Sequence, residues 1–482
     1  MSKFSEHLER CIMDSGLTES QLAKVSGFTR SYIALMKNGQ RVSPDSVKMA
    51  KLLDMLNLPP YEYDEIWIEY IRARLGDSVY ERNNAVIDFM ESFGNISNTP
   101  IKSFYRHEIP DISTVDNRMD MEYLIKAVIE QEALKEDGYV RIIMQADVPV
   151  LKNVLPTVCR NNRNLKIDHI ICMDNQSGNG GEKDELYNIN MLKCLMPIII
   201  FSDSENYKIY HYYDRVTSHF SFASLLPCMV LTQNYVISMN AGMDKGLIFR
   251  EKEVIHLFDR LFQEHKRGCR MMFRRMEDDE ELFEFFNTQT CTENVMYTIG
   301  SQPCLGVLKV DNLVRKYCTS ENKKIRSLLE NTIRRNEKFF DGENKKIVTY
   351  CTRSGLKRFA EEGVVDELPI TLYRKPEVCD RLDILQKLLA AMEKGKYELH
   401  LLEEHAMNFP RQLQICSYGM TEAIIIFMSD NKESRFVLNE TSLTRILFEF
   451  FQEFIRSTQV CSKEKSFHFL EQLIQSLGDR KR

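Results

Sequence analysis

What this 482-residue sequence lacks narrows its class before any motif is read. It has no long apolar run. The longest clean one, "LMPIIIF", falls far short of the roughly 20 residues a spanning helix needs. Its N-terminus, "MSKFSEHLER", has no apolar signal region. A cytoplasmic protein with no membrane partner is therefore expected. Its 13 cysteines form no C-x-x-C pair, and no histidine stands at metal-ligand spacing from two of them. Scattered in this way they read as reduced thiols, and no metal or cofactor is expected. Charge of one sign is also missing. Sixty-four Lys and Arg against 70 Asp and Glu leave −6, which argues against broad nonspecific nucleic-acid binding by most of the chain. Finally, there is no G-x-S-x-G, no H-E-x-x-H, no G-x-G-x-x-G after a strand and no P-loop. A non-enzyme is expected, with an active site concealed in 119–482 left open.

What is present begins at "TESQLAKVSGFTRSYIALMKNG", residues 18–39. Thr18 with Gln21 reads as a capping box. Leu22 and Val25 supply an apolar face at helical spacing. Gly27 can end the helix in the left-handed conformation, and Thr29 can cap the next. In that second helix Ile33 and Met36 face inward, and Asn38-Gly39 ends it. Two short helices with so tight a turn cross steeply, which is helix-turn-helix geometry. "FSEHLERCIMDSG" precedes them as an amphipathic helix. "SPDSVKMAKLLDML" follows, with Ser43 as cap, Pro44 at the first helical position, and Val47, Ala50, Leu53 and Leu56 along one side.

From about Phe4 to Leu58 the chain resembles the Cro-like (XRE-type) helix-turn-helix family of phage repressors and bacterial regulators. The resemblance implies a recognition helix at Thr29–Lys37. Arg30, Ser31 and Ala34 would face base edges, and Tyr32 and Lys37 would lie beside phosphates. With Glu19, Ser20, Thr29, Asn38 and Arg41 these make the expected DNA-binding set. Two residues depart from the family pattern. Glu19 stands where many relatives carry a phosphate-binding Gln, and Ser26 stands where an aliphatic residue is usual. An Arg near the start of such a helix can make a bidentate bond to guanine. Residues 1–60 hold eight Lys and Arg and six Asp and Glu, so this stretch is +2 and the remainder −8. Only the N-terminal part leans towards a polyanion.

The fold class expected is multidomain: an all-α, lambda-repressor-like helix-turn-helix bundle (1–60) followed by a large α/β region with an internal duplication. Residues 61–93 read as a helical extension around Gly76, with Val79, Val86 and Phe93 on one stripe. It is either a dimer seam or a layer packed on the bundle. A linker is expected at 94–118, an α/β unit at 119–270, a helical connecting segment at 271–345 and a second α/β unit at 346–482. Strands are expected at "YVRIIM", "IDHIICM", "MPIIIF", "CMVLTQNYVISM", "KIVTYC", "YELHLL", "LQICSY" and "EAIIIFM". Residues 232–264 align without a gap to 421–453, at an offset of 189, each reading as a strand hairpin feeding a helix. Upstream, "AVIEQEALKEDGYVRIIM" and "ILQKLLAAMEKGKYELHLL" share a helix-Gly-Tyr-strand order. The duplicated unit weakly resembles the phospholipase-D-like sensor halves of some bacterial regulators, without their H-x-K-x-x-x-x-D.

Three polar clusters compete as sites. "EDDEE" (277–281) reads as a solvated helix start, "HYYDRVTSH" (His211 to His219) as strand and loop before pocket, and "RSGLKRFAEEG" (353–363) as a solvated face before anion site. The function expected is a homodimeric, sequence-specific transcriptional regulator. Its partners would be a double-stranded DNA operator and an unknown small-molecule or protein effector. An enzyme behind a DNA-targeting head and an interaction scaffold are the alternatives.

Overall fold

The computed structural model describes residues 2–96, 108–162, 164–174, 183–202, 206–216, 225–288, 293–305, 316–341, 345–368, 370–429, 432–457 and 459–479. The middle of the expected linker (97–107), most of the loop at 175–185 and His219 lie outside these residues. The chain divides into two compact units, residues 1–85 and 86–482.

The first unit is all helical, and its side-chain chemistry sets each boundary. Helix α1 (Lys3–Ser15) is capped by Ser2 and ends at Gly16. Helix α2 (Glu19–Ser26) opens on a complete capping box: the Gln21 amide donates to Thr18 Oγ1 at 3.3 Å, and the Thr18 amide to Gln21 Oε1 at 2.8 Å. Gly27 ends it at φ +77°, a conformation a side chain would strain. Helix α3 (Arg30–Lys37) is capped by Thr29, which accepts from the Tyr32 amide at 3.2 Å. Helix α4 (Ser46–Met55), α5 (Pro60–Leu75) and α6 (Asp77–Ile96) follow. Phe4, Leu8, Leu22, Ile33, Met36, Leu52 and Tyr70 meet in one core, with Trp67 packed against it.

Three local expectations shift. Asp45, not Ser43, caps α4, accepting from the Lys48 amide at 3.0 Å. Ser43 is buried instead, its carbonyl accepting from the Tyr70 hydroxyl at 2.8 Å. Val25 and Val47 are 57% and 60% exposed. The inward rows are Leu22 with Ser26, and Met49 with Leu52, Leu53 and Leu56, which leaves the two valines on helix flanks. The stripe on α6 belongs to both units. Val79 is half-buried in the first, whereas Val86, Phe89, Met90 and Phe93 are buried in the second, where Phe93 packs on Phe427 at 5.1 Å between centroids.

The second unit holds two mixed sheets. The first comprises β1 (Thr114–Val115), β2 (Tyr139–Ile143), β3 (Lys166–Asp174), β4 (Tyr207–Asp214), β5 (Cys228–Leu231), β6 (Val236–Met239), β7 (Gly246–Phe249) and β8 (Arg270–Met271). The second comprises β9 (Phe273–Met276), β10 (Val295–Gly300), β11 (Lys346–Cys351), β12 (Tyr397–Leu401), β13 (Leu413–Ser417), β14 (Ala423–Ser429) and β15 (Lys432–Leu438). Their orders are β1-β7-β6-β5-β2-β3-β4-β8 and β9-β15-β14-β13-β10-β11-β12. In each, three parallel strands continue into an antiparallel three-stranded meander. Ile142 pairs with His169 on one side and Val230 on the other, as Thr298 pairs with Thr349 and Cys416. Helical crossovers link the parallel strands, as their direction demands.

The strand order therefore repeats, which makes an internal duplication plausible. The 189-residue offset places β6, β7 and helix Lys252–Arg267 against β14, β15 and helix Thr441–Phe454. The offset extends further. Met271 bridges Tyr210 at the edge of the first sheet, and Val460, 189 residues on, bridges Leu402 beside the second. The upstream helix-Gly-Tyr-strand match does not fit. It pairs β2, an interior strand, with β12, an edge strand; the topological counterpart of β2 is β10. Segment 271–345 is not merely a helical connection, since it supplies β9 and β10. "MPIIIF" closes helix Lys183–Phe201 rather than forming a strand, while β4 and β10 were absent from the expected set.

Candidate functional site

The ten residues singled out in the first unit gather around the turn between α2 and α3. Ser20, Thr29, Arg30, Ser31, Asn38 and Arg41 are exposed; Glu19, Tyr32, Ala34 and Lys37 are half-buried. Arg30, Ala34 and Lys37 recur along one side of α3 at i, i+4 and i+7. Glu19, at the first position of α2, reaches both cations of that row. Its carboxylate lies 3.5 Å from Arg30 Nε and 3.3 Å from Lys37 Nζ. The Thr29 and Ser31 hydroxyls are 3.1 Å apart. Tyr32 is turned inward instead. Its ring stacks on Phe28 at 5.4 Å, and its hydroxyl donates to the Val42 carbonyl at 3.4 Å. Ser26 costs less than its polarity suggests, because its hydroxyl donates to the Leu22 carbonyl at 2.7 Å. The shift in the start of α4 moves backbone donors away from Ser43-Pro44. Between α1 and α5, His7, Cys11 and Glu62 bring ligand atoms within 4.8 Å. Burial, aided by Glu62, raises the Cys11 thiol to about 11, which keeps it protonated and a poor ligand at neutral pH.

In the second unit the acidic run is a helix start. Asp279 lies 2.5 Å from the buried Arg435, Glu281 accepts from the Glu277 amide at 2.8 Å, and Glu280 pairs with Lys324. The cations of 353–363 also have partners: Arg353 lies 3.7 Å from Glu403, and Arg358 pairs with Asp366.

The stretch at 211–214 yields more than a plain strand. Tyr213 on β4 donates its hydroxyl to Glu440, which is fully buried at the start of helix Thr441–Phe454. Glu440 also accepts from the Ser442 amide at 3.0 Å, the Leu443 amide at 2.8 Å and the Ser442 hydroxyl at 2.8 Å. Buried Asn188 donates to Ser442 Oγ at 3.1 Å. His211 stands edge-on to Tyr213. Burial lowers its pKa, with Glu440 opposing and Arg270 adding to the effect. A buried imidazole kept neutral beside a carboxylate can accept a proton. Sequence reading missed this group because Glu440 and Asn188 are far from His211 along the chain; the only local signal was the polar pair His211 and Tyr213.

No family model matches the chain, and no curated protein matches it. Among solved structures it is similar to a polyphosphate kinase from Porphyromonas gingivalis, at 11% identity and a TM-score of 0.22, over 75% of this chain and 54% of that one. It is also similar to a phosphatidylserine synthase from Haemophilus influenzae Rd KW20, at 9% identity and a TM-score of 0.22, over 81% and 97%. The chain thus spans about half the length of the kinase. These weak likenesses are consistent with the phospholipase-D-like resemblance and too slight to carry the fold or to assign a reaction. Both matched structures bear enzyme names, so the expectation of a non-enzyme, which rested on missing motifs alone, is corrected and not carried forward. No helix among the described residues is long and apolar enough to cross a membrane.

Proposed function

We propose that the first unit is a Cro-like helix-turn-helix head that binds double-stranded DNA as part of a homodimer, and that the duplicated α/β unit carries the regulatory or chemical activity the head directs. The observation that supports this most is the turn from α2 to α3. Thr18 and Thr29 cap successive short helices, Gly27 turns left-handed between them, and the start of α3 stands open with Arg30 and Ser31 exposed, while Lys37 closes the same side of the helix at its other end. An exposed helix start with an Arg near its first turn suits the major groove, where guanine O6 and N7 accept a bidentate guanidinium. In this reading Glu19 holds Arg30 and Lys37 until DNA competes for them, with a base edge for Arg30 and a phosphate for Lys37.

The test is fluorescence anisotropy of the full chain on duplexes selected from a random pool. Arg30→Ala is expected to cost about 1–3 kcal/mol and relax preference at one base position. Lys37→Ala is expected to weaken all sequences alike and to flatten the salt dependence by about one phosphate contact. Equal, salt-independent losses from both would overturn the groove assignment.

A second reading keeps the head and makes the α/β unit an enzyme. It draws support from His211, Tyr213, Glu440 and Ser442, since an imidazole lowered by burial against the opposing pull of Glu440 is the kind of perturbed group that catalytic sites use.

A further inference from the structure

The core of the second sheet's half is not continuous. One apolar cluster centres on Phe283, Leu329, Ile333 and Leu372. Another lies on β13 and β14 around Cys416 and Ile426, and a third around Met296, Phe359 and Ile384. Where they meet they leave a cavity of about 180 Å³. Protein interiors are close-packed, with few voids larger than a water molecule. A cavity of about 150 Å³ lined by Leu, Ile and Phe in another protein stays dry and takes up benzene. The void here is room for one small ring.

Its walls define the chemistry of the occupant. Met296, Cys416 and Ile426 form the sheet side, and Phe283, Leu329 and Ile333 the helix side, each no more than 8% exposed. Burial raises the Cys416 thiol far above its ordinary range, so the wall there is neutral. Polar side chains interrupt the apolar surface: two charged ones, Arg335 and Glu367, and the neutral Gln414, Tyr418, Thr332, Tyr317 and Tyr373. The Arg335 guanidinium donates to the Phe286 carbonyl, and the Glu367 carboxylate accepts from the Leu305 amide at 2.8 Å. One cation and one anion leave the lining without net charge. A charged ligand would lose its hydration and meet no uncompensated opposite charge, whereas a neutral one loses little. Gln414 and Tyr418 add neutral donors and acceptors that can orient it.

We infer that this cavity is a binding site for a neutral, ring-sized apolar molecule that carries one hydrogen-bonding group. The site belongs wholly to the second unit and stands whether or not the first unit binds DNA.

The experiment is isothermal titration and thermal denaturation of the full chain with indole and p-cresol. Benzoate and benzylammonium serve as charged analogues, and glucose as a polar control. Saturable single-site binding of the neutral rings is expected, with a rise in Tm, and binding of the charged rings weaker by about tenfold or more. Cys416→Phe, which fills the cavity from β13, is expected to abolish binding; Ile333→Phe fills it from the helix side if the first variant fails to fold. Gln414→Leu is expected to weaken p-cresol several-fold and leave toluene unchanged. Absence of saturable binding by the neutral rings overturns the inference. So does binding that survives cavity filling, or charged rings that bind as well as neutral ones.

Discussion

Glu19 is the residue whose removal speaks most directly to the first unit. It sits at the first turn of α2, and its carboxylate holds Arg30 at 3.5 Å and Lys37 at 3.3 Å. The Arg30 side chain is 73% exposed, so its pair with Glu19 contributes at most about 1 kcal/mol to folding. Lys37, at 19%, is held more closely. In Glu19→Gln the charge of residues 1–60 rises from +2 to +3, and both cations are released for DNA, Lys37 for a phosphate and Arg30 for a base edge. A carboxylate about 7 Å from a phosphate in water costs about 0.6 kcal/mol by Coulomb's law, and two flanking phosphates about twice that. The expected outcome is an affinity about tenfold tighter at low salt, with a salt slope steeper by about 0.9 for one added contact. Folding stability should fall by about 1 kcal/mol or less. Anisotropy titrations of the full chain between about 50 and 200 mM salt resolve both quantities. Unchanged affinity and slope, with stability altered as expected, would mean that Lys37 faces no phosphate and that Glu19 does not stand at the DNA surface.

The remaining predictions concern the second unit. Glu440→Ala removes the cap of helix Thr441–Phe454 and the acceptor of the Tyr213 hydroxyl from a fully buried position. It is expected to cost about 2–4 kcal/mol in urea unfolding, and a loss under about 1 kcal/mol would contradict the network. His169 is fully buried between the Tyr207 hydroxyl and the Met144 carbonyl, each at 2.8 Å, and burial lowers it from 6.5 to about 4. Because the folded pKa is depressed, the unfolded chain takes the proton first. Stability from this group is complete above about pH 6.5 and is lost progressively towards about pH 4, on the order of 3 kcal/mol in all. Urea unfolding at stepped pH should show that loss in the parent chain and a shallower one in His169→Gln; parallel curves would refute it.

The first unit was largely legible because its determinants are local. A capping box, a left-handed glycine and a second Thr cap lie within twelve residues, and each acts on its neighbours in sequence. What was missed there is long-range. The burial of Ser43 depends on Tyr70 in α5, and the inward turn of Tyr32 depends on Val42. Val25 and Val47 misled because an apolar side chain at a plausible spacing need not be inside; surfaces carry many. The pairing of Glu19 with Arg30 and Lys37 was within reach in principle, but the family pattern drew attention to Glu19 as a missing glutamine rather than as a partner for two cations.

The second unit shows how far a repeat can be read. The hairpin and helix at 232–264 and 421–453 keep the same antiparallel pairing and the same following helix, while the register differs by two residues: Val236 pairs with Phe249, but Ile425 pairs with Phe436. A slip of two leaves every side chain on its original face, so the repeat in apolar pattern survives it. The helix-Gly-Tyr-strand match upstream failed for the opposite reason. A helix followed by a buried strand is the generic unit of any parallel sheet, so β2 and β12 look alike in sequence while occupying an interior and an edge position. The same degeneracy hid β10 and misread "MPIIIF", since a short apolar run fits a buried strand and a buried helix equally. The polar group at His211, Tyr213 and Glu440 needs β4 set against the start of helix Thr441–Phe454, a contact across 227 residues. The cavity needs three clusters placed close but not touching. Sequence periodicity reports which face of an element is apolar; it does not report where two apolar faces fail to meet. That gap between faces is the feature of this fold with the clearest chemical consequence, because its size and its balanced charge together select a neutral ring over any ion.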